Sequence, residues 1–454
     1  MLSFGTFIFV RSQDTTPDKL GDPIAAIKTF QQRSADCLIN SQYASRPTSY
    51  TMEALLLNIH GEFIRHRGAQ LGVWVLAGVV IRLALRMGYH RDPKDFAQIS
   101  IFDGEMRRRT WAIILQLDTM TSYQLGMPSM IPESQCDTAP PSNLHDEDFG
   151  PESLILPQSR PESELTPVLY SIAKWRGLEI FRKIVNRAST NETYEEIMRI
   201  DSQLRATHEQ ISPRFRLSED DGFIVVSPSV LISRYRLELL FQKSRCLLHR
   251  HHMTKSFTEP KYIYSRTTCV EAAMAILKHQ VDISNEAKPG GILQRDQWFI
   301  SSLERHDFLL ASMVICLELS YRMRNTAPGD SQTSNLKFTQ IDLVGSLEKS
   351  REFWGKFKDN SKEALQAFNA VSHMLGTVSE NPKTQKGQVV TKNQGSAEIG
   401  EYFTRARYLA TNCKVGAHPE IQDWSFNANV ENFEAFMNNP EVGNWVCLAS
   451  LFHA

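Results

Sequence analysis

Leu71–Pro93 reads LGVWVLAGVVIRLALRMGYHRDP, and after the polar step KDFAQIS (Lys94–Ser100) a second segment, EMRRRTWAIILQLDTMTSYQLGMP, runs from Glu105 to Pro128. In the first segment Leu71, Trp74, Val75, Gly78, Val79, Leu83 and Met87 recur at three- and four-residue steps. The opposite side carries Val73, Leu76, Val80 and Ala84. A helix that is apolar nearly all round is enclosed by other helices, so this one is expected inside a bundle. Gly88 stands where a helix favours a left-handed last residue, and Asp92-Pro93 keeps the helix from resuming. Ser100 with Asp103 three residues on reads as a capping box for the next helix. There Met106, Ile113, Ile114, Leu117 and Met120 form the expected inward stripe, and Glu105 with Arg109 has the i, i+4 spacing of a pair on one face. Gly126 and Pro128 stop this helix. The stretch is a helix-turn-helix pair of a large helical domain, and SMIPESQCDTAPPSNLHDEDF (Ser129–Phe149) closes it.

The segments AGVVIRLALRMGYHRDP, EMRRRTWAIILQLD, GMPSMIP, DTAPPSN and DED, in that order, resemble the fungal-specific transcription-factor domain, the middle homology region of the zinc binuclear-cluster regulators. The pattern is a helix ending in Leu-Gly-Leu-His-Arg, an acid before a run of arginines and an aromatic, and an Asp one or two turns later. A Gly-x-Pro turn and a proline-rich exit with acids follow. Tyr89 replaces the usual leucine, and Thr110-Trp111 stands where two tryptophans are common. Later segments also fit: YRLELLFQKSRCLLHRHH (Tyr235–His252), YSRTTCVEAAMAIL (Tyr264–Leu277) and HDFLLASMVICLEL (His306–Leu319). The resemblance spans roughly residues 50 to 320 and rests on the order and spacing of several motifs. It marks Gly88, His90, Arg91, Glu105, Arg107, Arg108, Arg109, Trp111, Asp118, Gly126 and Pro128 as motif residues with structural roles.

The resemblance also implies an N-terminal module of six closely spaced cysteines holding two zinc ions, followed by a basic linker and a coiled coil. Cys37 is the only cysteine before Cys136, so no zinc is expected in this chain. Two readings stay open: the body of a regulator whose zinc module lies upstream, or a regulator-like protein without its own DNA-binding module. On either, DNA is reached only through a missing or partner-supplied module.

Bulk properties agree with a large helical body. A length of 454 residues suffices for one, hydrophobics at 42% are ordinary, and a formal charge of -1 does not mark the chain itself as a DNA binder. The seven cysteines (Cys37, Cys136, Cys246, Cys269, Cys316, Cys413, Cys447) are scattered singly, which excludes a disulfide framework and points to a reducing compartment. The apolar run Phe4–Val10 lacks the positive leader and cleavage site of a signal peptide, and Arg82 and Arg86 cut the apolar Leu71–Ile81 short of a membrane span. The chain is expected to be soluble, intracellular and without a membrane partner.

Outside the centre, residues 24–68 read as two helical segments split by Ser45-Arg46-Pro47, with Leu55, Leu56, Ile59 and Phe63 packing inward. Glu152–Pro167 reads as an exposed loop. Helices are expected at Val168–Ala188, Thr193–Gln210, Ser229–His249, Tyr264–Asp282, Phe299–Met323 and Ile341–Phe357. Ala327–Asn335 reads as a loop and Thr377–Ser396 as disordered. The fold class is all-α, a large multi-helix bundle. Its divisions are an N-terminal segment over 1–48, the regulatory domain over 49–325 and a C-terminal helical extension over 326–454.

Chemical readings compete with plainer ones. Arg107-Arg108-Arg109 could form a phosphate patch, but consecutive helical residues point apart. The preferred reading has at least one arginine paired to Glu105 or Asp118. His249, His251 and His252 lack the spacing and supporting ligands of a zinc site. His145-Asp146-Glu147-Asp148 reads as a solvated acidic loop rather than a cation site, and His306-Asp307 as a helix start. Trp424–Val446 is either a last docking helix, the preferred reading, or an acidic-hydrophobic activation segment. No P-loop, nucleophile elbow, dinucleotide or kinase pattern appears.

The functional expectation, carried by the resemblance, is a non-catalytic regulatory domain in the nucleus that senses a small-molecule effector or a partner. The first rival is a stand-alone cofactor that forms a homo- or heterodimer with a full regulator through an apolar face such as Ile341–Phe357. The second is an enzyme with its site in a cavity of the bundle.

Overall fold

The computed structural model describes residues 23–65, 71–187, 193–217, 226–296, 302–324, 337–359 and 361–380. These hold eleven α-helices and no strand, as the periodicity requires. The first four are α1 (Pro23–Asn40), α2 (Ser49–Arg65), α3 (Leu71–Arg86) and α4 (Ile101–Leu125). Next come α5 (Leu169–Arg187), α6 (Tyr194–Glu209), α7 (Pro228–Lys255) and α8 (Ile263–Glu286). The last three are α9 (Ser302–Arg324), α10 (Gln340–Gly355) and α11 (Lys362–Glu380).

Local chemistry sets these boundaries. Ser100 Oγ accepts the Asp103 amide at 3.0 Å, one half of the expected capping box; the Asp103 carboxylate takes the Ser100 hydroxyl at 2.7 Å in place of the Ser100 amide. Gly88 and Gly126 have φ of 76° and 63°, left-handed values at which a side chain would be strained. Thr193 and Ser227 cap α6 and α7, and Thr339 with Asp342 forms a full capping box on α10.

Apolar cores follow the chain. Met52, Leu55 and Ile59 of α2, Val73, Val80 and Ile81 of α3, and Trp111, Ile114 and Leu115 of α4 form one. A larger core joins α7 to α11 and encloses Phe308, Val314, Ile315, Leu343, Leu347 and Val371. Between the two, Met120 and Tyr123 of α4 meet Leu178 and Phe181 of α5 and Leu240 of α7. The helix pair read from the sequence is thus the inner element of the first core.

Several expectations need correction. The inward stripe of α3 is Val73, Ala77, Val80, Ile81 and Ala84, while Val75 is 53% exposed. Helices α2 and α4 pack on α3, and Met130 of the exit loop lies against Gly78. On α4, Ile113 is 51% exposed and Trp111 takes its place inside. Helix α7 runs one and a half turns past His249, to Lys255, because His252 and Met253 continue the buried face. His306-Asp307 is not a helix start, since α9 begins at Ser302. Residues 377–380 close α11, a helix the sequence reading passed over, and the rest of 377–396 lies outside the described residues. Ala327–Asn335 and Trp424–Val446 lie outside them too. The loop at Glu152–Pro167 exposes Leu154 and Ile155 but is pinned: Arg160 pairs with Asp148 at 2.6 Å, and Asn143 donates to the Arg160 carbonyl at 3.1 Å. Leu343, Leu347, Phe353 and Trp354 of α10 are buried inside the chain, where Phe353 meets Phe308 edge-on at 5.4 Å. The apolar face offered for a dimerising cofactor is therefore already covered.

Candidate functional site

Of the motif residues, Gly88, His90, Arg91, Glu105, Arg107, Arg108, Arg109 and Trp111 gather around the turn after α3, the first half of α4 and the exit loop that returns past both. Gly88 turns the chain so that Tyr89, His90 and Arg91 run beside the loop, whose Asp137 amide donates to the His90 carbonyl at 3.1 Å. Thr138 Oγ1 donates to the Tyr89 carbonyl at 2.7 Å, and Arg91 pairs with Asp137 at 2.8 Å. Asp92 is the centre of this knot. Its buried carboxylate accepts from Arg108 at 2.7 Å, from the Ala139 amide at 2.8 Å and from the Lys94 amide at 3.0 Å. Burial opposes its ionisation, but Arg108 and the two amides outweigh it and hold the carboxyl at about 2.

Each arginine of the run has its own partner, as the divergence of consecutive helical side chains demands. Arg107 donates to the Met87 carbonyl at 3.0 Å and covers the Tyr89 ring at 4.8 Å. Arg108 takes Asp92. Arg109 pairs with Glu105 at 3.2 Å and Asp146 at 2.6 Å, and donates to the Leu144 carbonyl at 3.1 Å. Glu105 is fully buried and also accepts the Ser142 amide at 3.0 Å; burial raises its pKa against the pull of that amide, Arg109 and Arg108. Trp111 is enclosed in the first core, with its ring centroid 6.5 Å from that of His90. Every guanidinium of the run is engaged within the protein, so the arrangement serves as a clasp and offers no bare phosphate patch.

Glu105 takes the arginine that the sequence offered to it or to Asp118. Among the described residues, no arginine forms an ion pair with Asp118. Its buried carboxylate accepts the Met130 and Ile131 amides at 3.0 and 3.1 Å and the Ser129 hydroxyl. It thereby pins the chain just after the Gly126–Pro128 turn, about 20 Å along α4 from Glu105.

The sequence reading missed Asp92, Asp137 and Asp146 as acids of the clasp, although their order among the arginines was visible. It also missed two buried polar sets in the helical body. His249 is fully buried between Ser265, at 2.9 Å from Nδ1, and Asp201, at 3.3 Å from Nε2; Tyr264 donates to the same aspartate at 2.7 Å. These three residues carry types found in hydrolases, but all are fully enclosed and lie between α6, α7 and α8. Lys243 pairs with Asp307 at 3.1 Å beneath the rings of Tyr123 and Phe181.

Among the described residues, no group of three or more His, Cys, Asp or Glu is placed to hold a metal ion. The five described cysteines are free, and burial pushes the Cys246 thiol up to about 12, away from the thiolate a zinc ion needs. No described helix is long and apolar enough to cross a membrane.

Residues 18–219 match the family model for the fungal specific transcription factor domain, a range that contains the whole clasp. The chain carries that domain. It is 37% identical over 360 residues to the Zn(2)-C6 fungal-type transcription factor pigI of Monascus ruber, covering 79% of this chain and 44% of the relative. It is 33% identical to the Zn(2)-C6 fungal-type transcription factor mpsB of Macrophomina phaseolina, over 87% of this chain and 55% of the relative. The pyrrolocin cluster transcription factor fsdR of a fungal species is 32% identical over 92% of this chain and 55% of its own length. The chain spans about half the length of these relatives. No solved structure matches it.

Proposed function

We propose that this chain is the regulatory body of a nuclear, non-catalytic transcription regulator that governs a biosynthetic gene cluster. The observation that carries the reading is the clasp: the ordered motif residues of the fungal specific transcription factor domain join two helices and their exit loop by complementary charges. A set of side chains consumed in holding elements together suits a domain whose task is to transmit a state. The relatives pigI and mpsB are named as Zn(2)-C6 regulators and fsdR as a cluster regulator, which supports both the class and the target. On that likeness DNA is read by a zinc–cysteine module joined to this body or supplied by a partner. The near-neutral charge of the chain itself accords with this division of labour.

The test joins the full chain to an unrelated sequence-specific DNA-binding module and reads a reporter bearing that module's site. Output several-fold above or below that of the module alone is expected. Output equal to the module alone, from a fusion that is folded and occupies the site, contradicts the reading.

A further inference from the structure

Helices α8 and α9 hold two arginines and one acid in the second core. Arg266 and Glu318 are fully buried, and the Arg322 side chain is 8% exposed. Glu318 accepts Arg266 Nε at 2.9 Å and Nη2 at 2.8 Å, and its Oε1 also accepts Arg322 Nε at 2.7 Å. Arg322 Nη1 donates to the Phe338 carbonyl at 3.0 Å. Among the described residues, that leaves Arg266 Nη1 and Arg322 Nη2 as buried donors without an acceptor.

The balance is one positive charge too many. An ion removed from water costs several kcal/mol unless it is paired, and Glu318 neutralises one guanidinium, not two. The Tyr321 and Phe257 rings lie 4.5 and 5.3 Å from the Arg266 guanidinium and offset part of the cost. Water would satisfy the two remaining N–H groups and leave the surplus charge as it is. An anion does both, and a carboxylate or phosphate has two or more oxygens, enough to accept from the one remaining Nη of each arginine. Lys337, exposed beside Phe338 with its ammonium 5.8 Å from that ring, adds a further cation on the Arg322 side.

We infer that Arg266 and Arg322 form an anion site that takes the carboxylate or phosphate group of a small molecule, with Glu318 holding the two guanidiniums in register. The site supplies the effector chemistry for the regulatory reading, on which it does not depend. Arg322, the least enclosed of the three, is the edge by which the anion arrives. Binding ties α9 to the Phe338 strand of chain that leads into α10, so occupancy stiffens the second core.

The experiment is thermal unfolding of the purified full chain in increasing sodium phosphate and, separately, sodium succinate, each matched to sodium chloride at equal ionic strength. A saturable rise in Tm with at least one of them, absent in chloride, is expected; which anion acts separates phosphate from carboxylate ligands. Arg322→Gln should raise the half-saturating concentration about tenfold, the loss of one charge-assisted contact. Arg199→Gln, on the surface of α6 where Arg199 pairs with Glu196 at 2.7 Å, should leave it unchanged. If Arg322→Gln does not fold, Arg322→Lys, which keeps the charge with fewer donors, should raise it several-fold. Equal shifts in chloride, or a saturable rise that Arg322 variants leave unaltered, overturns the site. Neither result touches the reporter assay, so the two readings fail separately.

Discussion

The clasp and the α8–α9 core handle buried arginines in opposite ways. Around α4, Arg91, Arg108 and Arg109 meet Asp137, Asp92, Glu105 and Asp146, and Arg107 takes a carbonyl and a ring face. The acids match the arginines in number, the outer members are half in water, and backbone amides of the exit loop share the carboxylates. In the core, among the described residues, Arg266 and Arg322 share one acid, Glu318, and no backbone amide bonds to its carboxylate. The clasp is therefore a closed account of charge, and the core is an open one. A closed cluster joins elements; an open one binds something.

The largest effect separates the two directly. Glu318→Gln leaves two buried guanidiniums without an acid and should cost about 3–5 kcal/mol in chemical denaturation. A cost as small as that of a surface pair would mean the core arginines are solvated.

Asp118→Asn comes next. The change halves the acceptors facing the Met130 and Ile131 amides and the Ser129 hydroxyl, and should cost about 1–3 kcal/mol, with the turn after Gly126 losing hydrogen-exchange protection first.

How much of this was legible varies with distance along the chain. Glu105 with Arg109 was readable because an i, i+4 pair needs only helical geometry. Gly88 and Gly126 were readable because a left-handed residue has few candidates. Of the two acids offered to the arginines, Glu105 takes one, while Asp118 turns to backbone amides, since a carboxylate facing a turn's amides leaves no mark in residue spacing. Arg266 and Glu318, 52 residues apart on two helices, carry no local signal at all. The same limit hid α11, whose buried Ala364, Ala367 and Val371 are defined by what packs on them. Ile341–Phe357 shows the converse: an apolar face was visible, but not that its own chain covers it.

Asp92→Asn tests the clasp through pH. The folded carboxyl lies at about 2 against a usual 3.8, so its stabilisation is complete above 3.8 and is lost as pH falls towards 2. At pH 7 the variant should be about 2 kcal/mol less stable, and the gap to wild type should close between those two values. A gap constant across that window would mean the acid is not ionised in the folded chain.

The smallest effect is expected at the rim. Arg91→Ala removes an ion pair whose side chains are 51% and 47% exposed, and should cost under about 1 kcal/mol, shrinking with added salt.

The most direct measurement of the clasp is a double-mutant cycle on Asp92 and Arg108. Stabilities of wild type, Asp92→Asn, Arg108→Gln and the double variant, determined at pH 7 by denaturant titration, give the coupling between α4 and the turn after α3. A coupling of about 1.5–3 kcal/mol is predicted, the range of a charge-assisted hydrogen bond in a shielded setting. Additive losses, with no coupling beyond about 0.5 kcal/mol, would show that the two side chains do not hold the helices together and that Arg108 is free to meet something else.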